Sequence, residues 1–181
     1  VSFFLSKSAS IDTLPENIVK AEKHVSGLQH IGRSQNLRGK HLTAINQEIR
    51  HLSELSLLLS ETTALARVRL SSKLRHPFYC QDLAIDACNR ALAERPKDVA
   101  ALTSRAAAFL DNYDRSAAKK DLKNALRINE RNTPTLVVVV HYLAAEGDFE
   151  KALEYALKAV SICEEIEHTE DTPQSALTSY R

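Results

Sequence analysis

Displaced by 34 residues, the sequence falls into register with itself over three blocks, 65–98, 99–132 and 133–166. The second half of each block carries two alanines seven positions apart: Ala84 and Ala91, Ala118 and Ala125, Ala152 and Ala159. An aliphatic residue follows each second alanine (Leu92, Leu126, Val160), and Ile128 and Ile162 come two positions later in the last two blocks. Asp114 and Asp148 coincide as well. A fixed period of this length marks stacked supersecondary units, because one unit cannot bury its apolar face alone and its neighbours must cover it. About three units are needed before such a stack is stable, which is the number of blocks here.

The period also decides how the four consecutive valines at 137–140 are read. In isolation a β-branched run of that length reads as a buried strand. In register with the other blocks it opens a unit whose second half, EGDFEKALEYALKAV, has helical spacing, so it is predicted to be a helix too. Leu136, Val139, Val140 and Leu143 are then its core residues, leaving Val137 and Val138 outside the core. Between the two halves, Gly147 supplies a left-handed conformation and Asp148 a side-chain cap. The second block has Asn112-Tyr113-Asp114 there, and Asn112 is expected to take the left-handed position. Only 4 Gly and 5 Pro in 181 residues favour helices over a turn-rich β architecture.

These residues resemble the tetratricopeptide repeat, a helix-turn-helix unit of the same period. Its first-half positions read Leu102, Arg105, Ala106 and Phe109 in the second block, Leu136, Val139, Val140 and Leu143 in the third, and Val68, Ser71, Ser72 and Arg75 in the first. Its second half reads Ala84-x3-Cys88, Ala118-x3-Leu122 and Ala152-x3-Ala156, with the closing proline present only as Pro96. The resemblance covers about 100 residues, is strongest in the third block and weakest in the first. It implies an all-α, right-handed helical-repeat solenoid whose first helices line a concave groove that holds an extended peptide or a partner helix. Carried over position by position, it places Arg69 and Lys73, then Thr103, Ser104 and Ala107, then Val137, Val138 and His141 along that groove. Family members that clamp a terminal carboxylate use Lys, Asn and Arg. Arg69 and Lys73 stand at the first clamp positions, whereas Ser104, Pro134 and Val138 depart from the rest. The lining is otherwise small and apolar, so the expected occupant is a protein segment with an apolar or amphipathic core and acidic flanks.

Residues 1–64 follow a different rhythm. Leu14, Ile18, Ala21, Val25 and Leu28 form one seam, and Leu42, Ile45, Ile49, Leu52 and Leu59 a second, interrupted at Ser56. A helical hairpin joined by the loop GRSQNLRGK is predicted, with Thr13, Pro15 and Glu16 opening its first helix as a capping box. A seam spaced near 3.5 residues also suits a coiled-coil stalk, so a homodimer through 1–64 stands beside a hairpin packed on the first repeat. Residues 167–181 read as a polar tail or, from Thr172-Pro173, the start of a capping helix.

Composition excludes several function classes. Residues 1–80 carry 11 Lys/Arg against 6 Asp/Glu (+5), and 81–181 carry 13 against 17 (−4), summing to the net +1. Neither half approaches the basic face that nucleic acid requires, so RNA binding by a helical-repeat surface is the weakest reading. Three cysteines without CxxC spacing, and seven histidines without an i, i+4 pair, leave no disulfide framework or helical zinc site. Glycine-rich phosphate loops and nucleophile motifs are absent, so no cofactor and no enzymatic activity are expected. No run is long enough for a membrane span, and the thiols are expected to be reduced in the cytoplasm. The chain starts at Val1 and has no Met, which reads as a piece of a longer protein. The leading expectation is a non-catalytic protein-interaction scaffold. The alternative is a structural or oligomerising arm of a larger enzyme or assembly machine.

Overall fold

Three side chains spaced by the repeat open the first helix of each block. Thr63, Asp98 and Asn132 each accept the backbone N–H three residues on, from Ala66, Ala101 and Thr135. Each such cap is worth about 1 kcal/mol against alanine. The computed structural model describes residues 2–6, 10–34, 39–61, 63–76 and 78–170. Its helices are α1 (Ser2–Ser6), α2 (Leu14–Ser34), α3 (Lys40–Ser60), α4 (Ala64–Arg75), α5 (Gln81–Glu94), α6 (Val99–Asp111), α7 (Arg115–Ile128), α8 (Thr133–Glu146) and α9 (Phe149–Glu170), with a 3-10 turn at Ile11–Thr13. No strand occurs among the described residues, and the valine run lies wholly within α8. The second helices α5, α7 and α9 begin 34 residues apart, at Gln81, Arg115 and Phe149. Asp114 and Asp148 cap α7 and α9 through the amides of Ala117 and Lys151, whereas Cys80, at the corresponding place, caps α5 with no side-chain bond.

The turns inside the helix pairs show the same period with one substitution of chemistry. Tyr79, Tyr113 and Gly147, spaced 34 apart, have φ of 56°, 60° and 82°. After α6 and α8 the pattern is a Schellman turn: Asp114 N–H donates to Phe109 C=O and Tyr113 N–H to Leu110 C=O, matched by Asp148 to Leu143 and Gly147 to Ala144. Asn112, expected in the left-handed position, has φ −92°, and Tyr113 takes it instead. The motif assigns that conformation to the first residue beyond the cap, and Asn112 is the cap itself.

Alanines let successive helices approach. Ala84, Ala91, Ala106, Ala118 and Ala125 are fully buried, and Leu122, Val139 and Tyr142 fill the space between α6, α7 and α8. Leu136 and Val139 are core residues as predicted, while Val140 and Leu143 are half-buried and Tyr142, on the same face, is buried. Val138 is half-buried and packs on this cluster, so only Val137 among the valines stands clear of it. The Arg105 guanidinium of α6 grips the nearly buried Asp121 of α7 through Nε at 2.7 Å and Nη2 at 2.8 Å, and its Nη1 donates to Asn89 of α5 at 2.7 Å. That charge-assisted fork ties three helices at one point.

At the N-terminal end, α2 and α3 form the predicted hairpin and bury their seams against α4 and α5. Leu14, Ile18, Ala21, Val25, Leu52 and Leu55 share one core with Leu70, Leu74, Phe78, Leu83 and Ala87. The 3-10 turn is tied to α5: the Ile11 N–H donates to Asp86 at 3.0 Å, and Arg90 binds both carboxylate oxygens of Asp12 at 3.0 and 2.7 Å. Arg90 holds the Asp12 carboxyl below its ordinary range. Three expectations change here. Thr13 does not cap α2; Ser10 caps the 3-10 turn, and the Thr13 hydroxyl donates to the Ser10 carbonyl. Leu28 lies 44% exposed, and Leu55 carries the second seam past Ser56 without interruption. Residues 35–38 of the predicted loop, and 171–181 of the predicted tail, lie outside the described residues. α9 continues to Glu170, through the place where the two earlier units turn. Those units have Asp98 and Asn132 to open a new helix; here Glu164, Glu165 and Ile166 supply no cap or breaker.

Candidate interaction surface

The groove positions inferred from the sequence do not form one continuous strip. Arg69 and Lys73 of α4 line a cleft against Glu54, Leu57 and Leu58 of α3, and Lys73 pairs with Glu54 at 2.6 Å. α3 thus occupies the face of α4 that the groove would need: Ala66 and Leu70, which share that face, are 1% and 2% exposed. Lys73 draws the Glu54 carboxyl below its ordinary range.

Thr103 is withdrawn from the surface as well. It is buried, and its hydroxyl lies 2.7 Å from that of Thr135 on α8. Thr135 donates its own proton to Asn132 Oδ1 at 2.7 Å, so Thr103 is the donor in the first bond. This chain of three locks α6 to α8 at the start of both helices. Ser104 is half-buried beside it.

The structure brings Ala107, Val138 and His141 together. They line a cleft of about 170 Å³ at the far end of α6 and α8, with Arg75 from α4, Tyr113 from the α6–α7 turn and Arg115 from α7. Val137, 44% exposed, stands on the same helix but does not line it. Arg75 Nε donates to Asp111 Oδ2 at 2.7 Å, which spans α4 and α6 and fixes that guanidinium at the cleft wall. Arg115 is about half exposed and reaches Glu146 at 3.4 Å. Tyr113 is 89% exposed in its left-handed conformation. A half-apolar floor with two guanidiniums, an imidazole and a protruding phenol is built to contact a chain segment, since Tyr and Arg are the side chains most often found at the centres of interfaces.

Sequence reasoning placed the basic end of the groove at Arg69 and Lys73; in the structure Arg75 and Arg115 hold that position. The signal for Tyr113 was present in its 34-residue spacing from Tyr79 and Gly147. Arg75 carried none, because its role depends on Asp111, 36 residues away.

The remaining reactive groups are sequestered. Burial pushes the Cys80 and Cys88 thiols up to about 11, and Cys88 lies 3.1 Å from the buried Ser71 hydroxyl. Cys163 is exposed on α9. No group of three or more His, Cys, Asp or Glu side chains able to hold a metal ion occurs among the described residues. No described helix is long and apolar enough to cross a membrane.

The fold defines an all-α protein of the helical-repeat class. No protein-family model matches the chain, and no curated protein does. Among solved structures it is similar to a crystal structure of MamA, with a TM-score of 0.51 at 17% identity over 87% of this chain and 91% of that one. A second MamA crystal structure aligns with a TM-score of 0.48 at 17% identity, over 90% of this chain and 87% of that one. At such identity the likeness is one of fold.

Proposed function

We propose that this chain is a non-catalytic protein-interaction scaffold of the tetratricopeptide type, whose α6–α8 cleft receives a segment of a partner protein. The observation that carries the reading is the convergence of Arg75, Tyr113, Arg115, Val138 and His141 on one cleft from four structural elements. An apolar residue of the partner fits against Ala107 and Val138, and acidic flanks suit Arg115 and Arg75. The charged rim sets association rate and salt dependence more than affinity, while the apolar contact sets residence time. The unreactive thiols of Cys80 and Cys88 fit a reducing compartment, and the cytoplasm remains the proposed location. The alternative, an arm of a larger enzyme or assembly machine, draws on the N-terminal hairpin, whose seam is spent inside this chain.

The test is capture of a native partner by the wild-type chain and by Arg115→Glu combined with His141→Glu. Both side chains are exposed, so helicity is expected to be unchanged. Capture is expected to fall by about tenfold or more, the loss of one interface anchor. Equal capture by both proteins would remove the cleft from the reading.

A further inference from the structure

The outward side of α9 carries Phe149, Leu153, Leu157 and Val160, which are 70%, 61%, 61% and 53% exposed. Their spacing of 4, 4 and 3 places all four on one stripe of the helix. The opposite side, with Ala152, Ala159 and Ile162, is the one that packs on the rest of the stack. The repeat itself does not demand such a stripe: 34 residues earlier, α7 has Arg115, Lys119, Lys123 and Leu126 at these positions. Four large apolar side chains in a row on one exposed helix face mark a contact surface.

The charges beside the stripe select its occupant. Glu154 and Lys158 are both exposed along one flank, two residues either side of Ala156, the small half-buried residue near the middle of the stripe. If two copies of α9 lie antiparallel and cross at Ala156, Glu154 of each faces Lys158 of the other, because 154 and 158 are symmetric about 156. Leu153 and Leu157 then flank the crossing on both helices, and Phe149 of one lies opposite Cys163 of the other. The small residue at the crossing lets the helices approach closely, and a two-fold contact of this kind closes on itself. A parallel pair would set like charges against each other. We propose that two copies of this chain associate through an antiparallel α9–α9 contact centred on Ala156. The patch is at the small end of specific interfaces, below about 1,200 Å² in total, so the dimer is weak and depends on concentration.

Light scattering on the full chain across a concentration series reads this directly. The mass is expected to rise from 20.2 kDa towards twice that value, and to remain monomeric in Leu153→Glu combined with Leu157→Glu at unchanged helicity. Glu154→Lys is expected to weaken the dimer severalfold, and adding Lys158→Glu to restore it, which a contact with any other surface would not do. In a Cys163→Ser background, Ala156→Cys is expected to give a covalent dimer on mild oxidation, since a disulfide needs Cβ atoms about 4 Å apart, while Lys151→Cys is not. The proposal is overturned if the full chain is monomeric throughout, including the case where removing residues 171–181 releases a dimer. It is equally overturned by a dimer that persists in the double Leu→Glu variant, or by one abolished only when residues 1–64 are deleted.

Discussion

At the N-terminal end of the stack, α4 is covered: Leu70 and Leu74 sit 2% and 0% exposed beneath Leu52 and Leu55 of the added hairpin. At the C-terminal end, α9 is bare along Phe149, Leu153, Leu157 and Val160. Every unit of a helical stack has two faces to bury, and the terminal units have only one neighbour each. The first unit has its outer face closed within the chain by a hairpin of different rhythm. The last unit keeps its outer face apolar and open. The covered end therefore contributes stability, and the open end is the one equipped for association. The hairpin also removes the first unit from the groove by laying α3 over Arg69 and Lys73, so the accessible cleft moves along to α6 and α8.

The largest effect is expected where the hairpin closes the stack. Leu52→Ala removes a fully buried side chain from the core shared by α2, α3, α4 and α5. A cavity of that kind costs about 2–5 kcal/mol. Denaturant unfolding monitored by helicity should show the loss as a lowered midpoint at an unchanged slope. A cost below about 1 kcal/mol would mean that the hairpin is only loosely docked and that the two ends do not differ as described.

How far the sequence reveals this arrangement follows from which contacts are local. The 34-residue period, the caps at Asp98, Asp114, Asn132 and Asp148, and the helical reading of the valine run all depend on neighbours within one turn or one repeat, and the sequence displays them. The site is less legible. Whether Arg69 and Lys73 are open depends on where α3 lies, and the hairpin belongs to no repeat. Thr103 is buried because Thr135, 32 residues on, offers it a hydroxyl. The left-handed tyrosines were hidden for another reason: glycine or asparagine is the usual occupant of such a position, and the rule pointed to Asn112 instead of the residue beside it.

A middle-sized effect separates the turns of the two kinds. Tyr113 holds a conformation that strains a residue with a Cβ, and at 89% exposure it gains little burial to offset that strain. Tyr113→Gly is expected to raise stability by about 0.5–1 kcal/mol, the relief of strain less the extra freedom of glycine in the unfolded chain. Gly147→Ala is expected to lower it by about 1 kcal/mol; a Cβ there meets no atom within 4 Å, so the backbone alone sets the cost. Thermal unfolding of the two variants should move in opposite directions. If Tyr113→Gly destabilises the fold, the tyrosine is held by a contact within the monomer. If it stabilises the fold and weakens partner capture, the strain is kept for binding at the cleft.

The smallest effect belongs to the open end, and its smallness is the point. Leu153 is 61% exposed on the outward side of α9, so Leu153→Ala forfeits little buried area and leaves no cavity. In dilute monomer the change should stay within about 0.5 kcal/mol, against several for the same substitution at Leu52. The difference between the ends then returns in another variable. A contact made only by the native fold raises the melting temperature with protein concentration, so the wild-type chain should melt progressively higher as it is concentrated, and Leu153→Ala should flatten that dependence. Parallel curves for the two proteins at every concentration would show that Leu153 makes no contact in either state, and the open end would have no role in association.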